Sequence, residues 1–208
     1  MQIFPRSFNY LPLLAALGVA SGGGAVTFGI WYWASPHNLQ VGYAPEQPIP
    51  YSHKLHAGEL GIDCRYCHSN VERSHEAQVP PTQTCMGCHA VVRKDSPRLQ
   101  RLRDSWESGE PVEWLRVHKL PDHAFFDHSA HLAVGVGCVT CHGRVDQMDV
   151  VRQDQPLNMA WCLECHRDPE PNLRPKSEIT NMTWEPKAGD SDELVAVNPP
   201  QNCSGCHR

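Results

Sequence analysis

The chain has 208 residues, of which 20% are charged and 40% hydrophobic, proportions typical of a globular protein with one domain or two small ones. Aspartate and glutamate outnumber lysine and arginine by 23 to 18, which gives a formal net charge of −5 with neutral histidines. A nucleic-acid-binding protein would need a basic surface, so this balance argues against that class.

The first predicted element is a helix that can cross a membrane. No charged side chain occurs from Leu11 to Trp33, a run of 23 residues. As a helix this run would extend about 35 Å, against about 30 Å for a bilayer's hydrocarbon core. The run is longer than the apolar part of a cleaved signal peptide and ends in an aromatic cluster at 31–33, which suits the membrane interface. We therefore predict a retained anchor over residues 1–34.

The flanking charges predict the orientation of this anchor. Arg6 precedes the span, whereas no basic residue follows it until Lys54, so the positive-inside rule puts the N-terminus in the cytoplasm. Residues 35–50 are rich in proline and form a spacer that cannot run as one helix. We expect a single-pass protein of the bacterial inner membrane with the rest of the chain on the periplasmic side.

Beyond the spacer, all ten cysteines fall into five copies of Cys-x-x-Cys-His. In this motif two thiols bond to the vinyl groups of a haem, and the histidine becomes the proximal iron ligand. Zinc sites, redox dithiols and disulfides also use paired cysteines, but they do not need a histidine after every second one. The motifs therefore predict five covalently bound haems c. The predicted attachment cysteines are Cys64, Cys67, Cys85, Cys88, Cys138, Cys141, Cys162, Cys165, Cys203 and Cys206. The predicted proximal ligands are His68, His89, His142, His166 and His207.

Four of the motifs belong to an internal repeat with a period of about 75 residues. A segment of the form aromatic-x-His-x-x-His begins at Tyr51 and is followed by two motifs, and a second such segment begins at Phe126 and is followed by two more. Residues 51–95 and 126–167 are therefore predicted to be two-haem modules.

The remaining chain connects and extends these modules. Residues 96–125 form a connector, with one surface helix expected between Ser96 and Gly109 because serine, proline and glycine stand at the positions where helices begin and end. Residues 168–208 read as an extended arm that carries the fifth motif. Five haems in so short a chain predict a loop-rich multihaem cytochrome c with few short α-helices and little or no β-structure. The haems would supply much of the core, so the chain should not fold without them.

Eight of the thirteen histidines remain for the distal sides of the haems. In His-x-x-His the two imidazoles lie about one turn apart on nearly the same face, so each can bind a different haem of a close pair. The predicted distal ligands are therefore His53, His56, His128 and His131. His118 is the first candidate for the remaining haem, Met148 the second, and His75 stays open, whereas His37 and His123 are expected to be solvated. A haem with two strong axial ligands has no open position, so no substrate site is expected in this chain.

The modules resemble the small multihaem class III cytochromes. The resemblance implies that the first histidine of His-x-x-His serves the haem that follows and the second a neighbouring haem. The implied pairs are His53 with His68, His56 with His89, His128 with His142, and His131 with His166. The haem on His207 is then left for His118 or Met148.

The whole pattern resembles the pentahaem subunits of alternative complex III more narrowly. It comprises the anchor, both modules, the stretches 138–148 and 161–167, and the closing Cys203-x-x-Cys206-His207-Arg208. The resemblance implies electron transfer in a respiratory or photosynthetic complex that oxidises membrane quinol. It also implies integral membrane quinol-binding subunits, an iron–sulfur subunit and a monohaem cytochrome c as partners, with a terminal oxidase or a soluble redox carrier as acceptor. Two other functions stay open: a free-standing, membrane-tethered multihaem quinol dehydrogenase and a multihaem reductase.

Overall fold

The computed structural model describes residues 4–35, 38, 40–187 and 194–207, and it divides the chain into two compact units, Met1–Val41 and Gly42–Arg208. The first unit contains a 3₁₀ turn, Arg6–Tyr10, followed by helix α1, Leu11–Trp33. Pro12 in the first turn of α1 suits a helix start, because the missing N–H has no partner there anyway. By length and composition α1 can cross a membrane. The predicted span and the observed helix have the same bounds.

The second unit is built from short helices joined by loops. Its α-helices are α2 (Cys64–Cys67), α3 (Thr82–His89), α4 (Gln100–Ser108), α5 (His128–Ala133), α6 (Cys138–His142), α7 (Met159–Arg167) and α8 (Cys203–Cys206). A π-helix spans Lys54–Glu59, and 3₁₀ turns span Pro97–Leu99, Val145–Gln147, Glu170–Asn172 and Lys176–Glu178. In the described part of the chain there are no β-strands, only isolated bridges between Ala124 and His207 and between Val136 and Leu173. The expectation of a loop-rich helical fold is confirmed for these residues.

Helix α4 lies where the sequence predicts the surface helix of the connector. A 3₁₀ turn, Pro97–Leu99, leads into it, and Gly109 ends it in the left-handed region at φ 76°. Leu102 is buried, whereas Trp106 remains 51% exposed. The Ser105 hydroxyl lies 2.8 Å from that of Thr82 and so fixes α4 against α3.

The first module packs against the second through the π-helix. The Lys54 N–H donates to the Met148 carbonyl at 3.0 Å, and the Ser52 hydroxyl donates to the Asp149 carboxylate at 2.7 Å. A Cβ atom at Gly58 would lie only 2.3 Å from the Asp146 carbonyl oxygen. The close contact between the two segments therefore requires glycine at this position.

The apolar core of the second unit is small and draws on both modules and the arm. Val71, Leu132 and Ile179 form one buried cluster, with one residue from each of these parts. The Ile179 carbonyl accepts the Cys138 N–H at 3.0 Å, and the Thr180 hydroxyl donates to Asp63 at 3.1 Å. The arm thus binds to both modules.

Candidate functional site

Each Cys-x-x-Cys-His motif lies on or at the end of a short helix, so the motifs form five local sites. We number them by their histidines in chain order, from site 1 (His68) through site 2 (His89), site 3 (His142) and site 4 (His166) to site 5 (His207). One helical turn brings the two cysteines of a motif to the same face, as attachment to one porphyrin edge requires. Side chains of Asp63, Asn158 and Asn202 cap the helices of sites 1, 4 and 5 by accepting backbone N–H groups.

The two aromatic-x-His-x-x-His segments have the same ring geometry. Tyr51 meets the first histidine of its segment edge-on at 4.8 Å and 86°, and stacks on the second at 4.4 Å and 23°. Phe126 meets its first histidine at 4.8 Å and 87°, and the second at 4.5 Å and 30°. The sequence repeat is therefore also a structural repeat, in which one aromatic ring orients both imidazoles.

Seven motif or segment histidines direct Nδ1 at a backbone carbonyl. A carbonyl oxygen can only accept, so Nδ1 carries the proton and Nε2 keeps the lone pair that binds a metal. The contacts are His68 to Gln78 at 2.6 Å, His89 to Val92 at 2.9 Å, His166 to Pro200 at 2.7 Å, His207 to His123 at 3.0 Å, His56 to Ser52 at 2.8 Å, His128 to His75 at 2.8 Å and His131 to Asp127 at 2.7 Å. These rings have the tautomer and the orientation that an iron ligand needs, so the residues fit a haem.

Three ring pairs have a separation that would suit two ligands of one iron. A metal–nitrogen bond of about 2.0–2.1 Å and a ring radius of about 1.1 Å put the centroids of two such imidazoles about 6.2 Å apart. The observed separations are 6.2 Å for His56 and His89, 6.1 Å for His131 and His166, and 6.4 Å for His128 and His142. In each pair one ring belongs to a motif and the other to a His-x-x-His segment.

The surroundings of His142 contain a second candidate imidazole. The His118 ring meets His142 edge-on at a centroid distance of only 4.4 Å and 79°, and its Nε2 is buried without a hydrogen-bond partner. Burial, followed by the nearby His118 and His128 imidazoles, lowers the pKa of His142 to about 3. Burial and then the nearby His68 lower the pKa of His53 to about 4. Both rings are therefore neutral at physiological pH, as iron ligation requires.

At site 5 the neighbouring ring is that of His123. Its centroid lies 5.6 Å from that of His207, and its own carbonyl accepts the Nδ1–H of His207. The His123 carbonyl therefore orients His207 through Nδ1 and leaves Nε2 of His207 outside this contact. His118 contacts His142 instead, and Met148 is buried where its carbonyl accepts the Lys54 N–H.

Thiol contacts join the motifs in an order that differs from the chain order. The sulfur atoms of Cys64 and Cys138 are within hydrogen-bonding contact, which lowers the pKa of Cys64 and raises that of Cys138. Sites 1 and 3 are therefore in direct contact. Burial, and then the charge of nearby Cys67, raise the pKa of Cys85. Site 2 thus lies beside site 1.

The same kind of contact extends to sites 4 and 5. Burial, and then the charges of Cys165 and Cys162, raise the pKa of Cys141 to about 12, which sets site 4 beside site 3. Burial, and then the charge of Cys206, raise the pKa of Cys162, which sets site 5 beside site 4. The spatial order is 2–1–3–4–5.

The sequence could not have predicted which groups orient the histidines. Most of them are backbone carbonyls, such as those of Gln78, Val92 and Pro200, and a carbonyl has no signature in the sequence. The edge-on contact between His118 and His142 joins the connector to the second module and likewise depends on tertiary packing.

Comparison with known proteins agrees with this geometry. The family described as cytochrome c7 and related cytochromes c matches residues 124–208. The chain is also 32% identical over 197 residues to the multihaem cytochrome c subunit of menaquinone reductase from Nitratidesulfovibrio vulgaris (Hildenborough), with 88% of this chain and 85% of the relative covered. The chain therefore belongs to the multihaem cytochrome c family.

Proposed function

We propose that this chain is the periplasmic electron-transfer subunit of a membrane complex of the alternative complex III kind, which oxidises quinol. As a multihaem cytochrome c the chain binds haem c covalently, and each bound haem supplies a one-electron iron couple. The observation that carries the proposal is that the sites lie beside one another in the order 2–1–3–4–5. A row of neighbouring redox sites suits conduction from one partner to another.

The proposal assigns five haems to the five motifs. The motif cysteines hold the haems and the motif histidines are the proximal ligands. His53, His56, His128 and His131 are the proposed distal ligands, supported by the ring separations near 6.2 Å in three of the four pairs and, for His56, His128 and His131, by the carbonyl contacts of Nδ1. For site 5, His118 and Met148 remain predictions without a supporting contact to His207.

The proposed location is the bacterial cytoplasmic membrane, with α1 as the anchor and the haem sites in the periplasm. The apolar helix Leu11–Trp33 supports the anchor. The proposed partners are integral membrane quinol-binding subunits, an iron–sulfur subunit and a monohaem cytochrome c of the same complex. A terminal oxidase or a soluble carrier would take the electrons.

A second candidate function transfers electrons in the opposite direction. The relative from N. vulgaris is a subunit of a menaquinone reductase, so this chain would pass electrons toward a quinone instead of taking them from a quinol. The row of sites can serve either direction, because the direction depends on the potentials of the donor and the acceptor.

The test uses the full chain purified with its membrane partners in mild detergent. In anaerobic stopped-flow measurements, menaquinol should reduce the haems within the turnover time of the complex. The variant His142→Met keeps the cysteines of site 3 and raises the potential of the central haem, because a thioether ligand raises haem potential. Turnover should then fall several-fold at unchanged haem content.

Three other outcomes distinguish the alternatives. Complexes that do not react with menaquinol, but whose dithionite-reduced haems are oxidised by menaquinone, would support the quinone-reducing candidate. Reduction of the isolated chain by menaquinol would support a free-standing quinol dehydrogenase. Haems that exchange electrons with neither form of the quinone would contradict both quinone-linked functions.

A further inference from the structure

Site 2 is one end of the row of sites, and an exposed loop adjoins it directly. The Val92 carbonyl accepts the Nδ1–H of His89 at 2.9 Å, and the N–H groups of Val91 and Val92 donate to the Cys88 carbonyl. Val91 is nevertheless 80% exposed and Val92 56% exposed. Two apolar side chains are thus presented to the exterior by the backbone that orients the proximal histidine.

Basic residues surround these valines. Residues 91–103 contain five basic side chains and one acidic one, a net charge of +4 in a chain whose total is −5. Arg93, Lys94, Arg98 and Arg101 are exposed, and none of them takes part in an ion pair within the described residues. We call residues 91–101 the basic surface. Helix α4 also contains acidic residues, such as Asp104 and Glu107. They follow the basic surface in the chain, toward the C-terminal end of the helix.

The backbone at Arg93 is strained. Arg93 has φ 50°, in the left-handed region where glycine or asparagine fits with less strain. Residues kept in such conformations cluster at functional sites. An arginine at this position places a positive charge beside site 2. Its left-handed backbone has a conformational free-energy cost that glycine would not have.

We propose that the basic surface docks the acidic face of a redox protein that exchanges electrons with site 2. This inference rests on the proposed electron-transfer function. Exposed apolar residues within a rim rich in arginine are typical of protein interfaces, and complementary charge accelerates association with the correct partner. One electron passes between the reduced partner and the ferric haem on His89, or back, and no bond is made or broken. The positive charge selects an acidic partner, although the whole chain is acidic.

The experiment uses the full chain in nanodiscs of neutral phospholipid, with a reduced acidic plant-type [2Fe–2S] ferredoxin as the probe. The test variant combines Arg93→Asn, which suits the left-handed backbone, with Arg98→Gln. The control variant combines Arg152→Gln with Lys176→Gln, two exposed positions that remove the same charge elsewhere. Stopped-flow haem absorbance at low ionic strength gives the second-order rate constant. We expect it to fall at least about threefold in the test variant and to change little in the control, because local charge steers the encounter.

The outcomes separate this proposal from the function it rests on. Equal rates in the two variants would overturn the docking surface while leaving electron transfer intact. A loss that appears only in nanodiscs with anionic phospholipid would assign the basic surface to lipid headgroups and also overturn the proposal. A haem-loaded wild-type chain that accepts no electrons from ferredoxin or dithionite would overturn the electron-transfer function itself. A basic monohaem cytochrome c as a second probe should react faster with the test variant than with the wild type.

Discussion

Removal of the His128 imidazole should produce a specific spectroscopic change. His128 and His142 stand 6.4 Å apart with nearly parallel rings, at 8°, close to the value of about 6.2 Å for two ligands of one iron. In His128→Ala the haem of site 3 should lose its sixth ligand. Its iron should become high-spin and bind carbon monoxide when reduced.

The structure sets the size of this effect. Site 3 is one motif of five and would hold one fifth of the haem. The variant removes one ligand from that iron, so the amount of bound carbon monoxide should rise by about a fifth of the total haem. The His118 ring stands at 4.4 Å from His142, which is about 2 Å less than two iron–nitrogen bonds require. His118→Ala should therefore leave carbon monoxide binding at site 3 unchanged. Loss of the contact between His128 and the His75 carbonyl should cost about 0.5–1.5 kcal/mol of stability.

The assay is the carbon monoxide difference spectrum of dithionite-reduced protein, normalised to haem content by the pyridine haemochrome. His123→Ala is the matched control, since His123 orients His207 through its carbonyl, which alanine retains. No increase in His128→Ala would refute the pairing with His142. An increase in His118→Ala alone would give the distal position of site 3 to His118. An increase in both variants would assign His118 to another iron, as the sequence predicts for site 5.

Three further predictions concern cofactor load, membrane attachment and packing. After acid–acetone extraction, mass spectrometry should find five haems per chain, and four or fewer would contradict the count of motifs. Full-length protein should resist carbonate washing of membranes, whereas replacement of residues 1–33 by a cleavable signal should release a soluble, haem-loaded domain; full-length protein extracted by carbonate would contradict the anchor. Gly58→Ala should lower the free energy of unfolding by about 1–3 kcal/mol, because its Cβ would meet the Asp146 carbonyl. Gly87→Ala, which meets nothing closer than 3.9 Å, is the control in thermal unfolding, and equal melting temperatures would contradict the close contact.

Features set by local sequence could be predicted. The span Leu11–Trp33 follows from an uninterrupted apolar run, and its helix has these bounds. The repeat follows from the spacing of aromatic and histidine residues, and the rings of Tyr51 and Phe126 meet their histidines at matching distances and angles. Helix α4 follows from its flanking proline and glycine.

The spatial order of the sites could not be predicted, because it depends on contacts between distant segments. The sequence pairs the motifs within each module, but Cys64 of the first module meets Cys138 of the second. This contact depends on the approach of the π-helix to Asp146 and on the arm, whose Ile179 carbonyl holds the Cys138 N–H. Neither contact has a periodicity or a motif that sequence reasoning could detect.

The backbone is strained beside the carbonyl groups that orient two of the proximal histidines. Gln78, at φ 59°, supplies the carbonyl for His68, and Arg93, at φ 50°, follows Val92, whose carbonyl serves His89. A left-handed conformation costs a non-glycine residue about 1–2 kcal/mol, whereas one hydrogen bond contributes about 0.5–1.5 kcal/mol net. The hydrogen bond and the strain are thus of similar size, and the bond leaves little net gain in stability. These contacts also fix the tautomer and the orientation of an iron ligand, as outer contacts do in metal sites. The strained carbonyls at sites 1 and 2 thus favour the function as haem sites over a purely structural role.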